Sequence, residues 1–137
     1  MEIAYRLNHA VSVKDFIDLL KRSSLSERRP IDNLECMQGM LDNANLSYTA
    51  WLDDQLVGIA RCVTDFHYCC YLSDLAVDAK LQHSGIGKKL ISLCAEKTEK
   101  TCKLVLLASP AANGYYPKIG MNHMDRCWTL DPDQALT

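Results

Sequence analysis

The chain has 137 residues, of which 48% are hydrophobic and 23% charged, and its formal net charge is −2. This length predicts one domain, residues 1–137, large enough to fold without a metal or a disulfide. The composition excludes a disordered chain, and the weak negative charge argues against a nucleic-acid-binding protein. Without an apolar run of transmembrane length or a visible secretory signal, we expect a cytoplasmic protein with no membrane partner.

The seven cysteines need a separate explanation. Their number is odd, and no two of them have the Cys-x-x-Cys spacing of a zinc ribbon or a redox pair. We therefore expect no metal site and no structural disulfide, with most of the thiols acting as small buried apolar side chains in a reducing compartment.

The first half of the chain carries strand and helix signals followed by three strand-like runs. Ser12 and Asp15 resemble a capping box, and the polar turns between the three runs are short, as in an antiparallel meander. The predicted elements are a strand at 2–8, a helix from Ser12, a polar loop at 23–30, a helix from Asp32, and strands at 47–52, 55–64 and 68–77.

The second half continues with helices and strands in alternation. The predicted elements are a helix at 85–97, a nearly all-apolar strand at 102–108 covered on both sides, a short helix from 109 to 120 and a last strand at 122–130. The resulting order, β-α-α-β-β-β-α-β-α-β, indicates an α/β (α+β) fold with helices on a mixed sheet.

One stretch carries chemical information, because a strand ending near Val77 is followed by a short loop and by a helix that opens on Gly85 and Gly87. The start of a helix offers about four unpaired N–H groups and roughly half a positive charge. Glycines there let a bulky anion approach the backbone closely. The arrangement suits a phosphate or a pyrophosphate.

Three phosphate-binding patterns compete for this stretch. A Walker A loop is disfavoured by Gln82 in place of its first glycine and by Lys89 in place of its Ser/Thr. A dinucleotide-binding fingerprint is disfavoured by Leu90 in place of its third glycine. The pattern Gln/Arg-x-x-Gly-x-Gly/Ala fits residues 82–87 completely.

This third pattern resembles the acetyl-CoA signature of the GCN5-related N-acetyltransferase (GNAT) family, and the resemblance covers the whole chain. The strand at 71–77 precedes the signature as the fourth strand of that family does, and residues 112–121 resemble the family's aromatic-Tyr-x-x-x-Gly-aromatic segment, with Met121 in place of the last aromatic. The resemblance implies a GNAT-like mixed, mostly antiparallel sheet with a splayed central pair of strands, and a single N-acetyltransferase domain.

The resemblance also implies acetyl-CoA as the cosubstrate, without a metal. The pantetheine arm is then expected along the strand that leads into the signature, and the pyrophosphate at the loop and helix start. The implied cofactor-binding residues are Leu75, Ala76 and Val77 on the strand, Gln82, His83, Ser84, Gly85, Ile86, Gly87 and Lys88 at the loop and helix start, and Asn113 near the pantetheine.

The implied reaction moves the acetyl group directly from the thioester to a primary amine, with no cysteine intermediate. Tyr116 matches the family's general-acid tyrosine, which protonates the departing thiolate. Asp74 lies on the strand beside the thioester, where it either orients a water or holds the amine, or else pairs with an arginine. These two possibilities are equally supported by the sequence.

The acceptor site of the family lies largely on the first two helices and their connection, which here contains Arg28 and Arg29. Two arginines suit an acceptor carboxylate or phosphate, although a solvated loop is the simpler explanation. The acceptor is a small-molecule amine or a protein lysine, and a homodimer is left open. One alternative function is a non-catalytic acyl-CoA-binding module, which does not need Tyr116. Another is a small nucleotide-binding regulator, which the missing Ser/Thr disfavours.

Overall fold

The computed structural model describes residues 2–137. Their strands and helices are β1 Ile3–Leu7, α1 Val13–Ser23, α2 Leu34–Asn43, β2 Leu46–Leu52, β3 Gln55–Thr64, β4 Cys69–Val77, α3 Ile86–Glu96, β5 Lys103–Val105 and α4 Tyr115–Lys118. One-turn 3-10 segments lie at Leu25–Arg28, Ala79–Leu81 and Pro110–Ala112. The predicted order is confirmed up to the last helix. The chain forms two compact units, one ending at Leu107 and the other running from Ala108 to Thr137.

The first unit is built on a five-stranded sheet in the order β1-β2-β3-β4-β5. The first four strands are antiparallel neighbours, and β5 pairs with β4 in parallel. The tight β2–β3 turn places Asp53 in the left-handed region at φ 54°, a conformation that aspartate tolerates better than most residues. The predicted meander and the mixed, mostly antiparallel sheet are both confirmed.

Each face of the sheet is covered by helices. One face packs against α1 and α2, whose buried side chains are Phe16, Leu19, Leu20 and Met37. The other face packs against α3 through Ile86, Leu90 and Cys94. Complete burial of one large apolar side chain contributes about 1.5–3 kcal/mol, so these contacts hold the helices to the sheet.

A glycine in β3 brings α3 unusually close to the sheet. A Cβ added at Gly58 would lie 3.2 Å from each of three side-chain atoms, in Ala50, Ile86 and Leu90. Two of these residues belong to the first turns of α3. The missing side chain at Gly58 therefore sets the height at which the start of α3 lies over the sheet.

The helix starts follow the expected capping chemistry, with one correction. Ser12 Oγ accepts a hydrogen bond from the N–H of Asp15 at 3.1 Å, as its capping role requires. The second helix is capped by Asn33 rather than starting at Asp32. The Oδ1 atom of Asn33 accepts from the N–H of Cys36 at 3.0 Å, because this side chain is the one placed three residues before an unpaired helix N–H.

The strand predicted at 122–130 is absent, since these residues form turns and irregular backbone. An apolar alternation makes a strand only where a neighbouring strand takes up its N–H and C=O groups, and Met124, Trp128 and Leu130 of this segment are exposed. As a result β4 and β5 lie at the edge of the five-stranded sheet rather than at its centre. The predicted strand at 102–108 is also shorter, Lys103–Val105, and is only half covered.

Candidate functional site

The two parallel strands at the sheet edge part after a short contact. β4 pairs with β5 only between Cys69–Tyr71 and Lys103–Val105, whereas its pairing with β3 continues to Val77. The second half of β4 therefore has one edge that no other strand of this unit covers. This arrangement is the splayed pair that the sequence predicts, placed at the sheet edge.

A β-bulge marks the point of divergence. Arg61 pairs with Asp74 while the next residue of β3 pairs with Leu72, so Ser73 is an extra residue in β4. A bulge changes which backbone groups point to each side of a strand. Beyond it the N–H of Asp78 donates to Val57 of β3 at 2.9 Å, and by alternation Leu75 and Val77 direct their N–H and C=O groups to the open edge.

The three strand residues expected to meet the cofactor are therefore not equivalent. Ala76 pairs with Ile59 and directs its backbone groups to β3, and its side chain is buried under α1 and α2. Leu75 and Val77 are the two that face the open edge. The carbonyl of Val77 already accepts from Gln82 Nε2 at 3.2 Å, with a second lone pair still free.

The start of α3 has no side-chain cap. The first bond within the helix runs from the N–H of Lys89 to the carbonyl of Gly85, so the N–H groups of Ile86, Gly87 and Lys88 have no helix partner. Gly85 has φ 88°, which favours glycine, and His83 has φ 68°. The helix start is thus an open set of N–H donors.

Side chains of the loop shape this helix start. Ile86 is buried against Gly58, which fixes the first turn of the helix. The hydroxyl of Ser84 donates to the carbonyl of Leu81 and closes the loop. Gln82, His83, Ser84 and Lys88 are exposed, and Gly87 is half-exposed. The predicted motif residues therefore form an accessible turn above a buried anchor, a shape that suits an anion.

Asp74 adopts the arginine-paired alternative. Its side chain is fully buried, and its two oxygens accept from the Nε atoms of Arg29 and Arg61, each at 2.5 Å. A carboxylate held at both oxygens and shielded from solvent has no free face toward a reacting amine. The expectation that Asp74 orients a water or holds the amine is therefore not supported by the geometry.

The two arginines of the α1–α2 connection differ. Arg29 turns inward to Asp74 and also donates from Nη2 to the carbonyl of Ser73 at 2.8 Å. Although its side chain is 21% exposed, all three of its side-chain nitrogens donate to groups within the protein rather than to solvent or to an amine substrate. Arg28 is exposed, and its carbonyl accepts from Arg29 Nη1 at 2.9 Å.

The remaining predicted residues lie in the second unit. Tyr115 and Tyr116 open α4 with their rings edge to face, 5.3 Å between centroids. Burial raises the pKa of Tyr116, and the neighbouring Tyr115 phenol adds to the increase. The phenol thus stays protonated at neutral pH, as a proton donor must. Asn113 is exposed at the end of the 3-10 turn Pro110–Ala112.

The seven cysteines are all free, but the expectation that most of them are buried is wrong, because only three are buried. Three others are exposed and one is half-buried, namely Cys36, Cys69 and Cys127, and Cys102. Cys62 and Cys70 of the sheet are buried under α3, and Cys94 is buried on the sheet-facing side of that helix. Contact with Cys94 and burial raise the pKa of Cys62, and burial raises the pKa of Cys70 to about 12. The thiols of Cys62 and Cys70 therefore stay protonated and unreactive at neutral pH.

Residues 2–137 contain neither a cluster of metal-binding side chains nor a membrane-spanning helix. No three side chains of His, Cys, Asp or Glu are grouped so that they could hold a metal ion. None of the helices has both the length and the apolar character needed to cross a bilayer.

Sequence reasoning missed Arg61, which lies deep in β3. Besides Asp74 it donates to the carbonyl of Met40 at 3.0 Å and to Ser73 Oγ at 2.9 Å. A signal was available, since an arginine within the apolar run 56–63 predicts a buried partner. The partner itself is identified only by the register of β3 with β4.

Comparisons with known proteins agree with this geometry. The model of the acetyltransferase (GNAT) family matches residues 13–121. A relative named as an uncharacterized ycf52-like N-acetyltransferase, from Prochlorococcus marinus, is 32% identical over 130 residues, covering 89% of this chain and 67% of that protein.

Two solved structures share the fold. A GNAT family acetyltransferase from Streptococcus pneumoniae TIGR4 has a TM-score of 0.76 at 21% identity, covering 95% of this chain and 96% of that one. The aminoglycoside N-acetyltransferase AAC(6′)-Iy, in complex with CoA, has a TM-score of 0.72 at 18% identity, covering 96% and 95%. At these identities the likeness concerns the fold.

Proposed function

Because the chain belongs to the GNAT family of N-acetyltransferases, whose members transfer acetyl groups from acetyl-CoA, we propose that it acetylates a primary amine and that Tyr116 is its general acid. The observation that carries the proposal is the open edge of β4 at Leu75 and Val77, which leads into the uncapped start of α3. Together they offer backbone donors and acceptors to an extended amide chain and N–H groups to a pyrophosphate.

In this proposal the pantetheine amides of CoA pair with the backbone of Leu75 and Val77, as an added strand would. The pyrophosphate accepts from the N–H groups of Ile86, Gly87 and Lys88. Gln82, His83, Ser84 and Gly85 supply the loop shape, and Asn113 remains a predicted contact of the pantetheine. Ala76 contributes through its buried side chain, since its backbone pairs with β3.

The chemistry is a direct acyl transfer. The neutral amine nitrogen bonds to the thioester carbon, and the carbonyl oxygen of the tetrahedral intermediate accepts from a backbone N–H, for which Leu75 is placed at the open edge. The C–S bond then breaks, and the sulfur takes a proton from the Tyr116 hydroxyl while the nitrogen gives its proton to water. With Asp74 held by two arginines, we propose that water is the base.

For the acceptor we propose a small-molecule amine. One solved relative of the same fold is described in complex with a bisubstrate analogue of CoA and acetylneamine, and another with sisomicin. A lysine side chain of a protein is the alternative. Release of the CoA thiol, measured over a panel of neamine, spermidine, free amino acids and a lysine peptide, distinguishes the two. Cytoplasmic location and a homodimer remain predictions.

The cofactor site is tested by Gly87→Val, which puts a branched side chain where the pyrophosphate meets the backbone. We expect CoA binding, measured by calorimetry, to weaken at least about tenfold. Gly85 is less suitable, because at φ 88° any side chain strains the backbone. Gly39→Val in α2 is the control, since it adds the same side chain in open space within another helix. Equal CoA affinity in the two variants would show that the pyrophosphate does not bind at Gly87.

The acid role is tested by Tyr116→Phe with Tyr115→Phe as its matched control. We expect Tyr116→Phe alone to lower kcat by roughly 10²-fold or more, with the affinity for CoA unchanged. Wild-type kcat in this variant would leave Tyr116 as a packing residue. Thiol release from no amine of the panel, despite CoA binding, would favour a non-catalytic acyl-CoA-binding protein.

A further inference from the structure

Two guanidinium groups hold the bulge of β4 from two sides. Arg29 donates from Nε to Asp74 Oδ1 at 2.5 Å and from Nη2 to the carbonyl of Ser73 at 2.8 Å. Arg61 donates from Nε to Asp74 Oδ2 at 2.5 Å and from Nη2 to the hydroxyl of Ser73 at 2.9 Å. We call Asp74, Arg29 and Arg61 the Asp74 clamp. It fixes the two residues that directly precede Leu75.

The clamp also joins separate parts of the chain. Arg29 lies in the connection between α1 and α2, and Arg61 donates from Nη1 to the carbonyl of Met40 in α2. The other carboxylate on this strand end, Asp78, is held by one arginine, Arg22 of α1. The bulge is therefore held by two arginines, whereas the end of the strand is held by one.

A buried ionic group is a weak way to stabilise a sheet, because apolar residues of similar volume are often equally good or better. Its advantage is geometric, since a guanidinium fork fixes both the distance and the direction of its partners. Here the fixed peptide lies where β4 loses its partner β5 and its backbone groups become free. The clamp fixes this peptide through side chains of β3 and of the α1–α2 connection, since β5 no longer pairs with β4 at this point.

We propose that Arg29 is a positioning residue that, through the Asp74 clamp, holds the Leu75 N–H toward the thioester oxygen of acetyl-CoA. The inference rests on the proposed function, because it needs the thioester to lie at the open edge of β4. It assigns Arg29 to the acetyl end of the cosubstrate alone, since the pyrophosphate donors lie at the start of α3. Misplacement of a reacting group by about 1 Å can lower a rate about 10²-fold.

Arg29→Gln is the decisive variant, because Arg61 still pairs with Asp74 and the buried carboxylate keeps one partner. Arg22→Gln is its matched control. Arg22 is also a half-buried arginine that donates to an aspartate and to a backbone carbonyl, here Asp78 and Leu56. Both variants lose one guanidinium fork, but only one of the forks lies beside Leu75.

The first measurement is the amide signal of Leu75 in nuclear magnetic resonance spectra with CoA and with acetyl-CoA. In the wild type and in Arg22→Gln we expect the signal to differ between the two ligands, because the acetyl oxygen accepts from this N–H. In Arg29→Gln the acetyl-dependent difference should be lost. A difference retained in Arg29→Gln, or absent from the wild type, overturns the proposal.

The second measurement separates a positioning role from a purely structural one. In Arg29→Gln we expect kcat for the best amine of the panel to fall about tenfold or more while the Kd of CoA stays within about threefold. Arg29→Lys should remain impaired, since a lysine cannot form the fork. If Arg29→Lys has the kcat of the wild type, the two-point contact of the guanidinium group is not required, which contradicts the proposal. Failure of the wild type to bind CoA refutes the proposed function itself, which is a different outcome.

Discussion

The two halves of β4 have similar apolar side chains and different surroundings. From Cys69 to Tyr71 the strand has neighbours on both sides, and Cys70 and the adjacent Leu72 are buried under α3. From Leu75 to Val77 it has a neighbour on one side only. The difference arises from the end of β5 at Val105 and from the bulge at Ser73, rather than from the polarity of the strand. The open edge of β4 is therefore determined by where β5 ends and where the bulge lies, and not by the composition of β4 itself.

Loss of the carboxylate that separates the two halves should have the largest effect. Asp74→Asn leaves two arginines without their anion, one of them buried, and we expect the free energy of unfolding to fall by about 3–5 kcal/mol. Urea unfolding measures it. Ser73→Ala, which removes only the hydroxyl acceptor, should cost about 1 kcal/mol. Equal losses in the two variants would show that the clamp does not hold the bulge.

Truncation of one leucine in each half compares their packing. Leu72 is 3% exposed, so Leu72→Ala should lower the free energy of unfolding by about 2–5 kcal/mol. Leu75 is half-buried at the open edge, and Leu75→Ala should cost less than half as much. Both are read from the midpoint of urea unfolding. A larger loss at Leu75 would mean that the second half is packed as tightly as the first.

Amide hydrogen exchange with and without CoA sharpens the comparison further. At a CoA concentration about 100 times Kd, global stability rises by about 2.7 kcal/mol, which slows exchange governed by complete unfolding everywhere. Beyond this, the amides of Leu75 and Val77 should gain protection of their own, since CoA then supplies the missing partner. The amide of Cys70 lies in the part of β4 that β5 already covers. An equal gain in amide protection along the whole of β4 would show that CoA does not bind at its open edge.

The smallest effect concerns the turn that leads into the paired half. Asp65 Oδ1 accepts from the N–H groups of His67, Tyr68 and Cys69, and these bonds lower its pKa from 3.8 to about 2. Because the pKa is lowered on folding, the stabilisation is complete above about pH 4 and is lost as the pH falls through 2.

The measurement is the difference in urea midpoint between the wild type and Asp65→Ala as a function of pH. We expect a constant difference near neutral pH that shrinks steadily between about pH 4 and pH 2. A difference that does not change over this interval would show that the charge of Asp65 does not contribute.

The sequence predicts those features that depend on local chemistry. Ser12 begins a helix because its hydroxyl reaches an N–H three residues on, and Gly85 ends a loop because few other residues adopt its backbone angles. The signature at 82–87 depends on the second effect, because Gly85 stands where the loop meets α3 and no side chain caps the helix. The strand order follows from the short turns of the meander.

Features that depend on distant partners escape the same reasoning. The ionic partners of Asp74 are 13 and 45 positions away, and the bulge at Ser73 exists only in the register between two strands. Residues 122–130 illustrate the opposite error, since a strand-like alternation there forms no strand. In each case the deciding quantity is a contact made after folding, which one segment of sequence does not contain.

The close approach at Gly58 sets an evolutionary constraint on the signature. Ile86 fills the position between Gly85 and Gly87, and its Cγ2 atom would lie 3.2 Å from a Cβ at position 58. A lineage that acquires a side chain at position 58 needs Ala50, Ile86 and Leu90 to move by a few tenths of an ångström, or smaller side chains at 86 or 90. Positions 58 and 86 should therefore change together among descendants of this sequence, although they lie 28 positions apart in the chain. The size of Ile86 in the signature is thus constrained by the size of the residue at position 58 in β3.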